Sequence, residues 1–481
     1  MRPVPSLVRA LVLALAFAVM LPLGPLRQAP AAPTPRATRL PPVDIGPETA
    51  AFYRDRGFAP LWVTRDGLKP EARRLLQMVD ADANLRAAVT AADGLDPHQL
   101  TRADLLLSEA YVEYARERLR PAAGNVMRYV DPEVAPGYHD DRALLDAAAG
   151  APSLGRLLDA VDRVNPVFDG LTDGLAAYRA RWSRLPQAPL PAHPSAAALR
   201  QRLGGHSLAE FQHVHGLRPT GTADAATIAA LNRGAAHYER LIETNIERSR
   251  AIPARVGRSI LVDTASARLW MIEDGRIVDA MRVVVGKRAM PTPLMAGTIR
   301  YAVHNPYWNV PPDLIRKRAA TAARRGAGVI SGERLQVLSD WSPGASVLDP
   351  RRVNWSAVAR GRATVNLRQL PGPQNMMGRI KFMMPNDLGV YLHDTPLRHL
   401  LAQADRHESS GCVRLQDAQR LARWLFDGNV PSATGAAEQE VDLPQPVPVY
   451  LAYFTALPSR DGVVFQNDVY GRDAASTRRR N

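Results

Sequence analysis

The chain has 481 residues, 46% hydrophobic and 22% charged, enough to build cores for about three domains. Its formal charge of +14 points to an anionic partner, but no basic recognition helix, zinc knuckle or aromatic-basic platform is present, which argues against nucleic acid. A single cysteine, Cys412, rules out an internal disulfide framework and, with no His-Glu-x-x-His helix, argues against a zinc site.

Residues 1–31 read as an export signal. Arg2 and Arg9 give a basic start, Ala10 to Gly24 an apolar stretch short for a bilayer span, and Ala29-Pro30-Ala31 a small-residue cleavage site. Cleaved, this predicts a periplasmic protein; uncleaved, the same segment is an inner-membrane anchor and the chain's one membrane contact. Residues 32–45, rich in Pro and Ala, read as a linker. Residues 46–190 carry helical periodicity, as in Glu71–Asp80 and Leu154–Val164, and predict a helical scaffold domain. Residues 196–235 predict a small helical module: Leu208, Phe211 and Val214 follow helical spacing, Gly216 and Gly221 mark turns, and Thr222 to Leu231 a further short helix.

From residue 255 the pattern changes to strands. Ser259–Val262, Arg268–Glu273 and Arg276–Val285 are rich in β-formers, and Glu273-Asp274-Gly275-Arg276 reads as the hairpin turn between the last two. Thr298–His304, Lys381–Met384, Gly389–His393 and the pair Val447–Thr455 and Val463–Asn467 extend the set. A polar stretch, residues 316–362, interrupts them and reads as an insertion able to cap a site. Residues 457–481 complete the chain with a hairpin strand and a basic tail. The expected fold is multidomain α+β: helical scaffold and small helical module first, then a mostly β catalytic domain over residues 255–456 with its capping insertion.

Cys412 lies in Ser409-Ser410-Gly411-Cys412-Val413-Arg414. Leu415, Ala418, Leu421, Ala422 and Leu425 recur with helical period, which predicts Cys412 at a helix N-terminus, where the macrodipole and free N–H groups lower a thiol pKa. Gly411 permits a tight turn, and the amides of Gly411 and Cys412 are candidate oxyanion donors. On a strand Gly389–His393, Tyr391 and His393 share one face. Thiol, base and oxyanion hole together make an acyl-transfer site. The competing reading is a buried inert thiol beside a structural histidine; His399 and His407 read as loop or surface residues, and Trp424 as core.

His393-Asp394-Thr395-Pro396, followed 19 positions after His393 by Cys412 in its Ser-Ser-Gly-Cys-Val-Arg element, resembles the L,D-transpeptidase (YkuD) catalytic domain. Ser410 stands where many members carry a second His, which is similar to the large periplasmic (YcbB-type) branch. The likeness continues in Asn305-Pro306-Tyr307-Trp308-Asn309-Val310-Pro311, in Arg368-Gln369-Leu370-Pro371-Gly372-Pro373, and in Phe52-Tyr53, Pro60-Leu61-Trp62 and Gly94-Leu95-Asp96-Pro97. Residues 196–235 resemble a peptidoglycan-binding module through Phe211-Gln212, His215-Gly216-Leu217, Gly221, Thr227 and Leu231-Asn232, with the stretch between Leu203 and Leu208 shorter than usual.

The resemblance implies a reaction on peptidoglycan stem peptides, with no metal or organic cofactor, and a carbapenem-sensitive thiol. Cys412 would attack the third residue of a tetrapeptide stem, expel D-alanine and pass the acyl group to the amine of a neighbouring third residue. It implies proton transfer by His393 and oxyanion stabilisation by Tyr391, Gly411 and Cys412. Trp308 and Asn309 would line the donor groove, and Ser409, Ser410, Asp394 and Arg414 would shape the substrate site. The alternatives are an L,D-carboxypeptidase or endopeptidase, attachment of a lipoprotein to the wall, or a non-catalytic wall-binding scaffold.

Overall fold

Caps and prolines set the N-terminal helices of the computed structural model, which describes residues 43–137, 139–254, 257–342 and 344–473. The expected signal, most of the linker and the basic tail lie outside those residues. Helix Pro97–Leu119 begins with Pro at its first position behind Asp96, whose carboxylate accepts from the His98 and Gln99 N–H groups at 3.0 Å. Inside the same helix the buried Asp104 accepts from the Trp62 and Val63 N–H groups and the Tyr53 hydroxyl, stapling two earlier segments to it.

Helices Ala196–Leu203, Leu208–Val214 and Ala225–Arg233 form the small module. Its Phe211, Ile228 and Leu231 do not make a separate core. They join Leu171 of helix Pro166–Tyr178, Ile242 of helix Ala235–Ser249, and Val463 and Phe465 of the C-terminal hairpin. That hairpin pairs Ala456–Ser459 with Gly462–Phe465, so Val463 pairs locally and not with the preceding long strand as the sequence suggested.

Residues 258–452 supply nine strands of a ten-stranded sheet, whose remaining strand is Arg128–Tyr129. Its main strands are β1 (Arg258–Asp263), β2 (Arg268–Glu273), β3 (Arg276–Gly286), β4 (Met295–His304), β5 (Ile380–Met383), β6 (Leu392–His393), β7 (His407–Ser409), β8 (Val413–Leu415) and β9 (Gln439–Ala452). They run in the order β5-β6-β8-β3-β2-β1-β9-β4, and β4 also pairs with β5, closing the ring. The β2–β3 turn has positive φ at Asp274 (47°) and Gly275 (75°), the conformation a tight hairpin demands. Both faces are buried, which explains the unbroken apolar runs. Ile260, Val262, Val449 and Leu451 face inward with helix Ala418–Leu425, while Leu261, Tyr450 and Ala452 face the helical module.

The insertion has a core of its own. Val310, Ile315, Ala319, Val337, Trp355, Val358 and Leu367 pack together under a four-stranded sheet that includes Trp308–Asn309, Leu335–Leu338, Val347–Leu348 and Asn366–Gln369. Among the described residues no helix is long and apolar enough to cross a membrane.

Candidate active site

The nucleophile element is not a helix start. Cys412 sits immediately before the three-residue strand β8, and helix Ala418–Leu425 begins only behind Asp417, whose carboxylate accepts from the Arg420 N–H at 2.9 Å. A helix dipole acts within its first turn, so it does not serve this thiol. The expected strand Gly389–His393 also shortens to β6, because Asn386 turns the chain beforehand: its amide donates to the Met384 and Val390 carbonyls and its oxygen accepts from the Val390 N–H.

β6 and β8 run parallel, with Leu392 opposite Val413 and His393 opposite Arg414. The Val413 N–H donates to the Tyr391 carbonyl at 3.0 Å, which sets Cys412 beside Tyr391. His393 is then the diagonal neighbour of Cys412 on one face, a spacing on the order of 7 Å between Cβ atoms and within reach of both side chains. The Cys412 Sγ lies 3.5 Å from the Gly389 carbonyl. The Tyr391 hydroxyl stands 3.7 Å from where a Cβ on Gly389 would be, and has no hydrogen-bond partner among the described residues.

Ser409 organises the turn. Its buried hydroxyl accepts from the Gly411 N–H at 3.1 Å and donates to the Cys412 carbonyl at 2.6 Å. The turn needs φ of +117° at Gly411, a value that favours glycine. One expectation changes here: the Gly411 amide is already engaged, whereas the Cys412 N–H has no partner among the described residues. Cys412 is therefore the available backbone oxyanion donor.

His393 is buried, and its Nδ1 lies 2.6 Å from the Asp394 carbonyl. A carbonyl only accepts, so Nδ1 carries the proton in the neutral ring, and the Met377 backbone is a second hydrogen-bond partner of the imidazole. Burial pushes the imidazole down to about 3, helped by the Arg414 charge. Burial pushes the Cys412 thiol up, against the pull of the Tyr391 backbone and of Arg414, although the residue keeps part of its surface exposed. The resting pair is a neutral thiol with a neutral imidazole, not a preformed ion pair. An attack by this thiol would have to be coupled to proton transfer.

The remaining expected residues divide. Arg414 is half-buried, has no hydrogen-bond or ion-pair partner among the described residues, and is held below its usual range by burial. Glu408 supplies an opposing negative charge, so this cation next to the thiol is partly balanced. Ser410 is half-buried and its side chain makes no hydrogen bond there. The Asp394 carboxylate is committed elsewhere, accepting from the Arg379 N–H at 2.9 Å and from Arg398 at 2.8 Å, so the backbone of Asp394, not its side chain, serves the site. Trp308 and Asn309 belong to the insertion sheet: Trp308 lies beneath the Arg318 guanidinium at 5.1 Å, and Asn309 is exposed.

Two residues acquire a role only in the structure. Lys381 pairs with His393 across β5 and β6 and holds Glu438 at 3.1 Å. Thr292, with no exposed surface, donates from Oγ1 to the Gly411 carbonyl at 2.8 Å. A threonine between two prolines, unable to join a ladder, was the available signal for it. Among the described residues no cluster of His, Cys, Asp or Glu is placed to hold a metal ion.

This geometry coincides with a family match. Residues 257–443 match the model of the L,D-transpeptidase catalytic domain, and residues 47–175 match a scaffold domain. Residues 257–443 are an L,D-transpeptidase catalytic domain of the YkuD type. A Haemophilus influenzae protein that carries a provisional L,D-transpeptidase name is 30% identical over 236 residues, covering 48% of this chain and 47% of its own. The chain thus spans about half the length of that curated relative. An L,D-transpeptidase structure from Mycobacterium smegmatis is 16% identical, covering 40% of this chain and 58% of that one, with a TM-score of 0.20. The catalytic domain of the Enterococcus faecium L,D-transpeptidase, solved by NMR, is 16% identical over 41% of this chain and 98% of that one, with a TM-score of 0.18.

Proposed function

We propose that the chain is a cysteine L,D-transpeptidase of peptidoglycan. The single observation that carries this is the placement of a thiol, on a partly exposed residue whose own N–H has no partner among the described residues, diagonally across from a neutral imidazole on the adjacent parallel strand. Cys412 Sγ attacks the carbonyl carbon of the third stem residue while its proton passes to His393 Nε2. The bond to the terminal D-alanine breaks, and His393 returns the proton to the departing amine, leaving a thioester. The amine on the third residue of a second stem then attacks, gives its proton to His393, and the thiol is regenerated. The Cys412 N–H and the Tyr391 hydroxyl serve the oxyanion, and Arg414 takes a substrate carboxylate.

The match to a scaffold domain and the folded insertion support a place in the large periplasmic branch, and the amino-terminal pattern supports export to the compartment where this polymer lies. Incubation with a carbapenem tests the thiol. Intact mass should show one drug adduct on the wild type and none on Cys412→Ala; an adduct on that variant sinks the assignment. With purified disaccharide-tetrapeptide, product analysis should show a dimer joined through third residues, with D-alanine released. Release of D-alanine without dimer would make the enzyme an L,D-carboxypeptidase instead.

A further inference from the structure

We propose that Thr292 is a positioning residue for acyl transfer, aiming the Cys412 N–H at the developing oxyanion. The inference rests on the transpeptidase reading of Cys412 and extends it to a residue outside the signature. The 411–412 peptide unit is planar and trans, so the Gly411 carbonyl and the Cys412 N–H point in opposite directions, and fixing one fixes the other. Ser409 bonds the Gly411 N–H and the Cys412 carbonyl, which belong to the peptide units before and after. The middle unit is left to Thr292 alone.

With φ of +117° and no side chain, Gly411 offers that unit little restraint of its own. The Thr292 hydroxyl supplies it with a defined direction. Oγ1 accepts from the Gly286 N–H at 2.9 Å and donates to the Gly411 carbonyl at 2.8 Å, with the Tyr470 hydroxyl as a further neighbour. Thr292 is itself immobilised. Pro291 and Pro293 flank it, and a Cβ on Gly286 would stand 2.4 Å from the Thr292 nitrogen, so the loop is pressed onto the end of β3. From behind, Arg472 donates to the Thr292 carbonyl at 3.2 Å and Tyr470 donates to the Gly286 carbonyl.

The test compares two reactions of the same sulfur. Acylation by a carbapenem passes through an oxyanion; alkylation by iodoacetamide does not. Thr292→Val keeps the shape and removes the hydroxyl. It should slow acylation by about 10- to 100-fold, short of the effect of losing an oxyanion donor outright. Alkylation should stay within about twofold of wild type, and Thr292→Ser should restore acylation. On a stem-peptide donor, kcat should fall with KM little changed. Should Thr292→Val fail to fold, Thr292→Ala, which leaves room for a water against Gly286, takes its place. Acylation at the wild-type rate, equal slowing of both reactions, or failure of Thr292→Ser to rescue would overturn the inference. A wild type that alkylates but never acylates would overturn the transpeptidase reading itself.

Discussion

The helical module and the transpeptidase domain each bury a histidine, and burial pushes both His215 and His393 down to about 3. Each donates from Nδ1 to a carbonyl, His215 to Phe211 at 2.7 Å and His393 to Asp394 at 2.6 Å. They part in their surroundings. His215 Nε2 accepts from the Tyr178 hydroxyl at 3.0 Å, and its ring stacks on Phe211 at 3.9 Å among Trp182, Tyr238 and Phe465. His393 takes the Met377 backbone as its second partner, and the neighbouring strand opens on a thiol. A depressed pKa therefore does not mark a working histidine. What sets His393 apart is a thiol on the adjacent strand.

The sharpest way to break this comparison is to remove each imidazole. His393→Gln should lower the carbapenem acylation rate by on the order of 10²- to 10⁴-fold, the usual worth of a general base, with the fold intact. His215→Gln should leave that rate within about twofold and lower the melting temperature, since it strands the buried Tyr178 hydroxyl. Equal losses of acylation in both variants would dissolve the distinction.

The thiol gives the next test. Because Cys412 is raised above its ordinary range, its alkylation rate should climb about tenfold per pH unit through neutrality and into the alkaline range. A thiolate–imidazolium pair would instead give a plateau in weak acid, and observing one would contradict the neutral resting pair.

The smallest effect is on stability. Both histidines are neutral when folded and protonate near 6.5 when unfolded, so the unfolded state binds more protons between pH 6.5 and about 3. Stability is fully present above 6.5 and falls as pH drops through that window. Each buried histidine contributes about 1.4 kcal/mol per pH unit. Denaturant titrations between pH 6 and pH 4 should lose about that slope in either His→Gln variant, catalytic or not.

Chemistry-bearing residues were legible where type and spacing coincide. The lone Cys412, with His393 upstream and a glycine before the thiol, pointed to acyl transfer in the sequence, and the strands place the two as diagonal neighbours on one face. The local backbone was not, because a strand of three residues hides inside a helical repeat: Leu415 fits the period of Leu421 and Leu425 yet belongs to β8. Asp417, an N-cap residue three positions before Arg420, marks the true helix start. The insertion read as polar because arginines crowd its helix Pro312–Arg325, but Ile315, Ala319 and Ala322 keep an i, i+4, i+7 stripe that seats it on its own core. Thr292 was out of reach: its role depends on positions 286 and 411 meeting at one hydroxyl, which no local pattern records.

The C-terminal hairpin has a consequence for how the chain is inherited. Val463 and Phe465 close the same core that Phe211 and Ile228 of the module and Tyr450 of the sheet occupy. Deleting residues 196–235 would therefore uncover the back of the catalytic sheet. Selection for an intact enzyme is enough to retain the module, whether or not it ever touches a glycan strand.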